Sequence, residues 1–401
     1  MTSLADKLDA VFQAGVEPAR TEKGDPSRAK APGMLAHVTT SSGMVYEAAH
    51  GVMNADSGEP LGVDGIFYMA SMTKAIVGAG VMQLVEQGKL SLDAPAADVL
   101  PELDQIQVLE GIAADGSPRL RAPKVRMTLR HMLTHTSGFG YPTWNKEILD
   151  YLNGLGLDIR GPNRSDLMQP LLFDPGERWN YSIAIDWVGL MAEAATGKSL
   201  GTYLQESLLQ PLGMTDTGFS VPAAKRARQI SMHQRLDDGS LEARKPIPPG
   251  PAGDMERGGG GLFGTIGDYG QFVRMILNKG ELNGQRVLKP ETVAEMTRNN
   301  IGALRMGPAV SYVPALSNNF EFLPGTPKTW GLTFHIAMED TPGMRSAGSL
   351  SWAGLTNCYY WIYPARDVAG VYASQMFPFV DPGSHGLFVE MEKAVYAGMN
   401  G

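Results

Sequence analysis

A single cysteine, Cys358, stands in 401 residues. No disulfide can form within the chain, and nothing is left to build a cysteine-based metal site. Long apolar runs are missing as well. No stretch reaches the ~20 residues a helix needs to cross a bilayer. Charge of one sign is nowhere concentrated: 34 basic and 42 acidic residues give a formal charge of −8. The one local cluster, Lys225-Arg226-Ala227-Arg228, is short enough to be a solvated helix face. Nucleic acid and anionic membranes are therefore not expected partners. Residues Met1 to Asp9 lack both a basic n-region and a continuous apolar h-region, and read as an amphipathic helix capped by Ser3. The expectation is a cytoplasmic protein.

What is present is a substantial core, with 43% hydrophobic and 19% charged residues, and one stretch that suggests chemistry. Phe67-Tyr68-Met69-Ala70-Ser71-Met72-Thr73-Lys74 runs into Ala75–Gly88, where Ile76, Val77, Val81, Leu84 and Val85 recur at helical spacing and Gly88 is a stop signal. Ser71 is expected in the first helical turn, with Lys74 on the same face. A hydroxyl nucleophile, an amine and a free backbone N–H at a dipole's positive end would then share one turn. Ser-x-x-Lys also arises by chance, as Ser27-Arg28-Ala29-Lys30 shows within a Gly/Pro/charge-rich loop. A cap on a core helix is the competing explanation for Ser71.

Along the chain, strands are expected at Met34–Thr40 and Met44–Gly51, joined by the turn Ser41-Ser42-Gly43. From about residue 95 to 265 helices and Pro/Gly-rich loops dominate. Leu129–Thr134, Ile183–Ala195 and Leu200–Leu209 read as helices, and Arg244–Asp254 as a long surface loop. After Gly258-Gly259-Gly260-Gly261 and a helix near Tyr269–Asn278, strands return at Leu332–Met338, Asn357–Tyr363 and Val368–Gln375. A helix closes the chain from Gly386. The pattern predicts an α+β architecture: residues 1–95 and 266–401 form a sheet domain, 96–265 a mainly helical insertion, and the cleft between them the site.

Further signals have two explanations each. The turn Pro175–Ile183 delivers Tyr181, either to the core or toward Ser71 and Lys74. The small residues of Ser346–Asn357 suit close backbone approach to a ligand. His131 and His135 have i, i+4 spacing, but Met132 stands where a zinc peptidase needs glutamate, so no metal is expected. Gly197-Lys198-Ser199-Leu200-Gly201 follows a helical rather than a strand pattern, which makes Ser199 an N-cap and not a nucleophile elbow.

Taken together, these motifs resemble the serine β-lactamase/penicillin-binding-protein superfamily over nearly the whole chain, in particular its family VIII carboxylesterases. Ser71-Met72-Thr73-Lys74 is similar to the first motif and Tyr181-Ser182-Ile183 stands where β-lactamases carry Tyr-x-Asn. Trp352-Ala353-Gly354 resembles the esterase form of the Lys-Thr-Gly box. Leu133–Gly138 and Pro211-Leu212-Gly213-Met214 match further landmarks. The resemblance implies a β-lactamase/transpeptidase-like fold, an antiparallel sheet flanked by helices, and no cofactor. It implies Ser71 as nucleophile, Lys74 and Tyr181 as its partners, and the N–H groups of Ser71 and Leu355 as oxyanion donors. Ile183 in place of asparagine and Trp352 in place of lysine remove polar recognition of an anionic lactam and favour a neutral ester. Gly354 would keep a close backbone approach. Phe139, Tyr141, Trp187, Ile183 and Trp352 with Ala353 are expected around the substrate, and His135 is expected to be structural.

The implied activity is hydrolysis of short-to-medium acyl esters through a Ser71 acyl-enzyme. Tyr181 is expected as the direct base in deacylation, with Lys74 as its electrostatic partner. Transfer of the acyl group to an alcohol, residual β-lactamase or DD-peptidase activity, and a non-catalytic acyl-binding sensor are the alternatives. The expected partner is a small-molecule ester.

Overall fold

The computed structural model describes residues 3–16, 29–157, 163–250 and 253–399; Ser27 of the second Ser-x-x-Lys lies outside them. Ser3 caps helix α1 (Leu4–Gly15) in a reciprocal capping box with Asp6. Eight strands then make one antiparallel sheet. They are β1 (Gly33–Thr39), β2 (Met44–Asn54), β3 (Glu59–Pro60), β4 (Lys328–Trp330), β5 (His335–Ala337), β6 (Leu350–Gly354), β7 (Cys358–Tyr363) and β8 (Val368–Ala373). The spatial order is β4-β5-β6-β7-β8-β1-β2-β3, so the β8–β1 ladder joins the two ends of the chain, with Leu35 opposite Ala373.

Alternation along the strands sends successive side chains to opposite faces. On β7, Tyr359, Trp361 and Tyr363 pack with α1 and the C-terminal helix α5 (Pro382–Gly398), next to Leu8, Phe12, Phe388 and Met391. Cys358, Tyr360 and Ile362 face the other way, onto α4 (Ile266–Leu277), where Tyr269 and Phe272 meet them. That second core is continuous with helices α2 (Thr73–Glu86) and α3 (Ala184–Thr196).

Several sequence expectations need correcting. The C-terminal helix starts at Pro382 rather than Gly386, because Asp381 caps the N–H groups of Gly383 and Ser384. The segment expected at Leu332–Met338 is the turn and strand of a hairpin whose first strand, β4, was not anticipated. Strand β6 was read only as a run of small residues. All five of its residues are buried, so no polar/apolar alternation marks it. The middle region, expected to be mainly helical, also contains two strand pairs, Val108–Ile112 with Pro118–Arg121 and Met232–Arg235 with Leu241–Arg244. The helix expected at Leu200–Leu209 is α-helical only to Leu204 and widens into a π turn from Gln205 to Leu209. Among the described residues no helix is long and apolar enough to cross a membrane.

Candidate active site

The short strand Phe67–Tyr68 pairs with Phe263–Gly264, and the chain then turns sharply at Ala70, whose φ is +44°. A non-glycine residue held there stores roughly 1–3 kcal/mol, retained only where surrounding structure imposes it. The Met69 N–H donates to the Leu262 carbonyl (2.9 Å), and the Leu262 N–H to Thr73 Oγ1 (3.1 Å). Ser71 therefore sits in a 3₁₀ turn, Ala70–Met72, immediately before α2. It is not in the first α-turn that periodicity suggested. The helix behind it is buried on nearly every side, Lys74 included. Gly80 leaves room for Leu204, since a Cβ there would lie 2.5 Å from Leu204 Cδ2.

Lys74 Nζ lies 3.1 Å from Ser71 Oγ, 3.1 Å from the Tyr141 hydroxyl and 2.5 Å from the Gly259 carbonyl oxygen. Only the carbonyl is restricted to accepting. Both hydroxyls can reverse, so a neutral amine can donate to Gly259 and Tyr141 and accept from Ser71. Burial drives Lys74 down to about 7, against the pull of the Asp186 carboxylate and with help from the Arg257 cation.

The Tyr181 phenol accepts the Trp352 indole N–H at 3.1 Å, and the nearby Ser71 side chain favours its phenolate. Burial pushes Tyr181 upward, only partly opposed by those two contacts. The loop that presents it is tied to the His135 segment. The Asn180 N–H donates to the His135 carbonyl (2.8 Å), Asn180 Nδ2 donates to the Phe139 carbonyl (2.8 Å), and the His135 ring packs edge-on against Tyr181, 4.7 Å between centroids. His135 Nδ1 is 3.2 Å from Ser182 Oγ. Its burial, beside Lys74, holds the imidazole well below its ordinary value.

The end of β6 closes the other side. A Cβ on Gly354 would lie 2.3 Å from the Met69 carbonyl oxygen and 3.2 Å from Ala70 Cβ, so only glycine lets β6 lie against the Ser71 turn. Leu355 follows in a turn fastened by Thr356 Oγ1 to the Tyr68 carbonyl (3.0 Å). Cys358 packs behind Gly354, its Sγ 3.4 Å from the Met69 carbonyl oxygen.

Several expected substrate contacts are placed elsewhere. Phe139 and Trp187 have no exposed surface (0%) and belong to the core; a pocket wall needs surface that a ligand can reach, so their rings do not supply one. Ile183 is likewise buried in that core. Ala353 points to the opposite face of the sheet, among Tyr359 and Phe388. Trp352 is almost wholly enclosed by Tyr181, Trp330 and Phe322. Tyr141 keeps partial exposure, 5.2 Å from the Tyr181 ring. Two half-exposed aromatics that sequence reasoning missed join it: Trp144, 5.6 Å from Tyr181, and Phe322, 5.7 Å from Trp352. No spacing pattern links position 322 to 181. Ser199 is an exposed N-cap accepting the Thr202 N–H (3.2 Å), at the start of Leu200–Leu204. Among the described residues, no group of three or more His, Cys, Asp or Glu is placed to hold a metal ion.

Comparison with known proteins places the chain in a family. The chain is 32% identical to monacolin J acid methylbutanoyltransferase of Aspergillus terreus over 350 residues, 84% of this chain and 83% of that protein. It is 31% identical to lovastatin esterase of Penicillium rubens over 402 residues, 93% and 94% of the two chains. A mutant simvastatin synthase from Aspergillus terreus superposes with a TM-score of 0.81 at 28% identity, covering 99% of this chain and 96% of that one. A family model described as beta-lactamase matches residues 8–388. With that match running through both halves of the sheet and the Ser71 turn between them, the chain belongs to the beta-lactamase family.

Proposed function

We propose that this protein is a serine carboxylesterase acting on small-molecule esters through an acyl-enzyme on Ser71. The observation that carries the reading is the 3.1 Å approach of Lys74 Nζ to Ser71 Oγ, made by an amine that burial brings to about 7. An unperturbed lysine is almost wholly protonated at neutral pH; this one is available as a base. The phenol of Tyr181, pushed the other way, stays protonated. We therefore assign the proton of Ser71 to Lys74, a choice the sequence left open, and give Lys74 rather than Tyr181 the base role expected in deacylation.

In this scheme Ser71 Oγ bonds to the ester carbonyl carbon and its proton passes to Lys74. The N–H groups of Ser71 and Leu355 receive the oxyanion, a role supported by the forced contact between Gly354 and the Ser71 turn. Tyr181, directed by Trp352, donates toward Ser71 or the departing alkoxide. The alcohol leaves with the proton held by Lys74; water then attacks the acyl carbon, its proton passing to the neutral amine, which returns it to Ser71 Oγ as the acid leaves. Tyr141, Trp144 and Phe322 are the aromatic surfaces we assign to the substrate. The site lies where residues 1–95 with 266–401 meet residues 96–265, which we take as the two structural units. A charge of −8 and a lone cysteine fit a cytoplasmic enzyme of neutral small esters.

A second reading has its own support: the relatives include a methylbutanoyltransferase and a synthase as well as an esterase. An alcohol in place of water would make the same acyl-enzyme a transferase. The deciding experiment is p-nitrophenyl butyrate hydrolysis by wild type and Ser71→Ala, with intact mass after a fluorophosphonate and with acceptor alcohols added. Turnover lost in the variant, with one adduct on Ser71, is expected. Turnover surviving in Ser71→Ala, or an adduct on Ser199, would sink the assignment. Acceleration by an alcohol with ester product would establish transfer.

A further inference from the structure

The four-glycine run Gly258–Gly261 is left unexplained by the reacting groups, and so is a buried carboxylate beside it. Asp186 lies in the first turn of α3 and is 2% exposed. Its Oδ1 accepts the Gly259 N–H at 2.9 Å. The carbonyl of that same residue takes the 2.5 Å hydrogen bond from Lys74. One peptide residue is thus held at both ends, by a carboxylate on one side and by the amine on the other. Glycine suits this fit: a Cβ on Gly259 would crowd the two Asp186 oxygens at 3.0 and 3.1 Å, and one on Gly258 would lie 2.7 Å from the Ile185 carbonyl oxygen. Arg257 Nη2 stands 3.4 Å from Asp186 Oδ2, so the carboxylate is charge-compensated within the site.

We infer that Asp186 is a positioning residue for the base: through Gly259 it fixes Lys74 Nζ against Ser71, and with Arg257 it sets the charge that Lys74 feels. The inference rests on the reading of Lys74 as the proton acceptor. The groups facing Lys74 are Ser71 and Tyr141 by direct contact, the Tyr181 ring 4.9 Å from Nζ, and Asp186, Arg257 and His135 through their charge or dipole. His135 is neutral in the working range, which leaves Asp186 and Arg257 as the two fixed charges of opposite sign. Asp186 favours the ammonium and Arg257 opposes it. Removing one or the other must therefore move Lys74 in opposite directions.

The test is a titration of the Lys74 side chain by NMR in the full chain carrying ¹³C,¹⁵N-lysine, with Lys74→Met to assign the signal. Asp186→Asn keeps an acceptor for the Gly259 N–H but removes the charge, and should lower the midpoint by about half a unit or more. Arg257→Gln should raise it. The acid limb of kcat/KM should follow each shift, with KM little changed. A midpoint unmoved in both variants would overturn the inference; if Asp186→Asn does not fold, an unmoved midpoint in Arg257→Gln is sufficient. The titration is read whether or not p-nitrophenyl butyrate is hydrolysed. Opposite shifts in a wild type without turnover would uphold this arrangement and remove the esterase reading.

Discussion

Trp352 donates its indole N–H to the Tyr181 hydroxyl across 3.1 Å, and so decides which way that hydroxyl can point its own proton. Indole donation occupies one lone pair of the Tyr181 oxygen, and the proposed mechanism directs the O–H toward Ser71. Trp352 thus acts through Tyr181 more than through surface offered to a substrate. Tyr181→Phe should reduce kcat by about 10²–10⁴, and Trp352→Phe by about tenfold. The double variant should be no worse than Tyr181→Phe alone, since the two residues share one contact. Fully additive losses in the four-variant cycle would contradict the coupling.

The depressed Lys74 value gives a pH profile with a definite sign. Protonated below about 7 and neutral above it, the amine should make kcat/KM rise through roughly pH 7. A profile rising only near pH 10, where an exposed lysine titrates, would refute the lowered proton affinity of Lys74.

The same group predicts a link between pH and stability. Between about 7 and 10.5 the unfolded chain holds the Lys74 proton and the folded chain does not, so stability rises with pH across that window. Below it the full penalty of burying the ammonium is present. Lys74→Met should abolish activity yet stabilise the fold, by about 2–3 kcal/mol more at pH 6 than at pH 9. Denaturant midpoints of both proteins at the two pH values check it; an equal gain at both would refute the buried-cation account.

Gly354 predicts loss of rate without loss of binding. A methyl at Gly354 would meet the Met69 carbonyl oxygen at 2.3 Å, forcing β6 away from the Ser71 turn and carrying the Leu355 N–H with it. Gly354→Ala should lower kcat by about 10²–10³, the effect of losing one oxyanion donor. Fluorophosphonate labelling of Ser71 should slow in parallel. Unchanged labelling would mean that Leu355 is not a donor.

Away from the site, Asp381 holds the C-terminal helix twice over. It accepts from Arg235 Nε (2.7 Å) and Nη2 (3.1 Å) and caps the N–H groups of Gly383 and Ser384. Asp381→Ala strands a buried guanidinium and should cost about 3–5 kcal/mol, read as a lower urea midpoint at an unchanged slope.

The sequence by itself determined the elements whose signals are local. The Ser3 cap, the β1–β2 hairpin, the apolar period after Ser71 and the Ser199 cap all rest on residues within a few positions of one another. The approach of Lys74 to Ser71 was legible because their spacing records what a turn of backbone can present; Tyr181 was left between core and site by its own turn, and only the resemblance pointed it to Ser71. Tertiary structure decided the rest. Phe139 and Trp187 read as pocket walls because they are aromatic and near motifs in the chain, but long-range packing buries both. Phe322 and Trp144 reach the site from segments of chain separate from its motifs, which no periodicity encodes. The choice of base was open in the sequence for a related reason: a lysine's proton affinity is set by burial and by charges on other elements. Asp186 on α3 and Arg257 before the glycine run become neighbours of Lys74 only when the chain is folded.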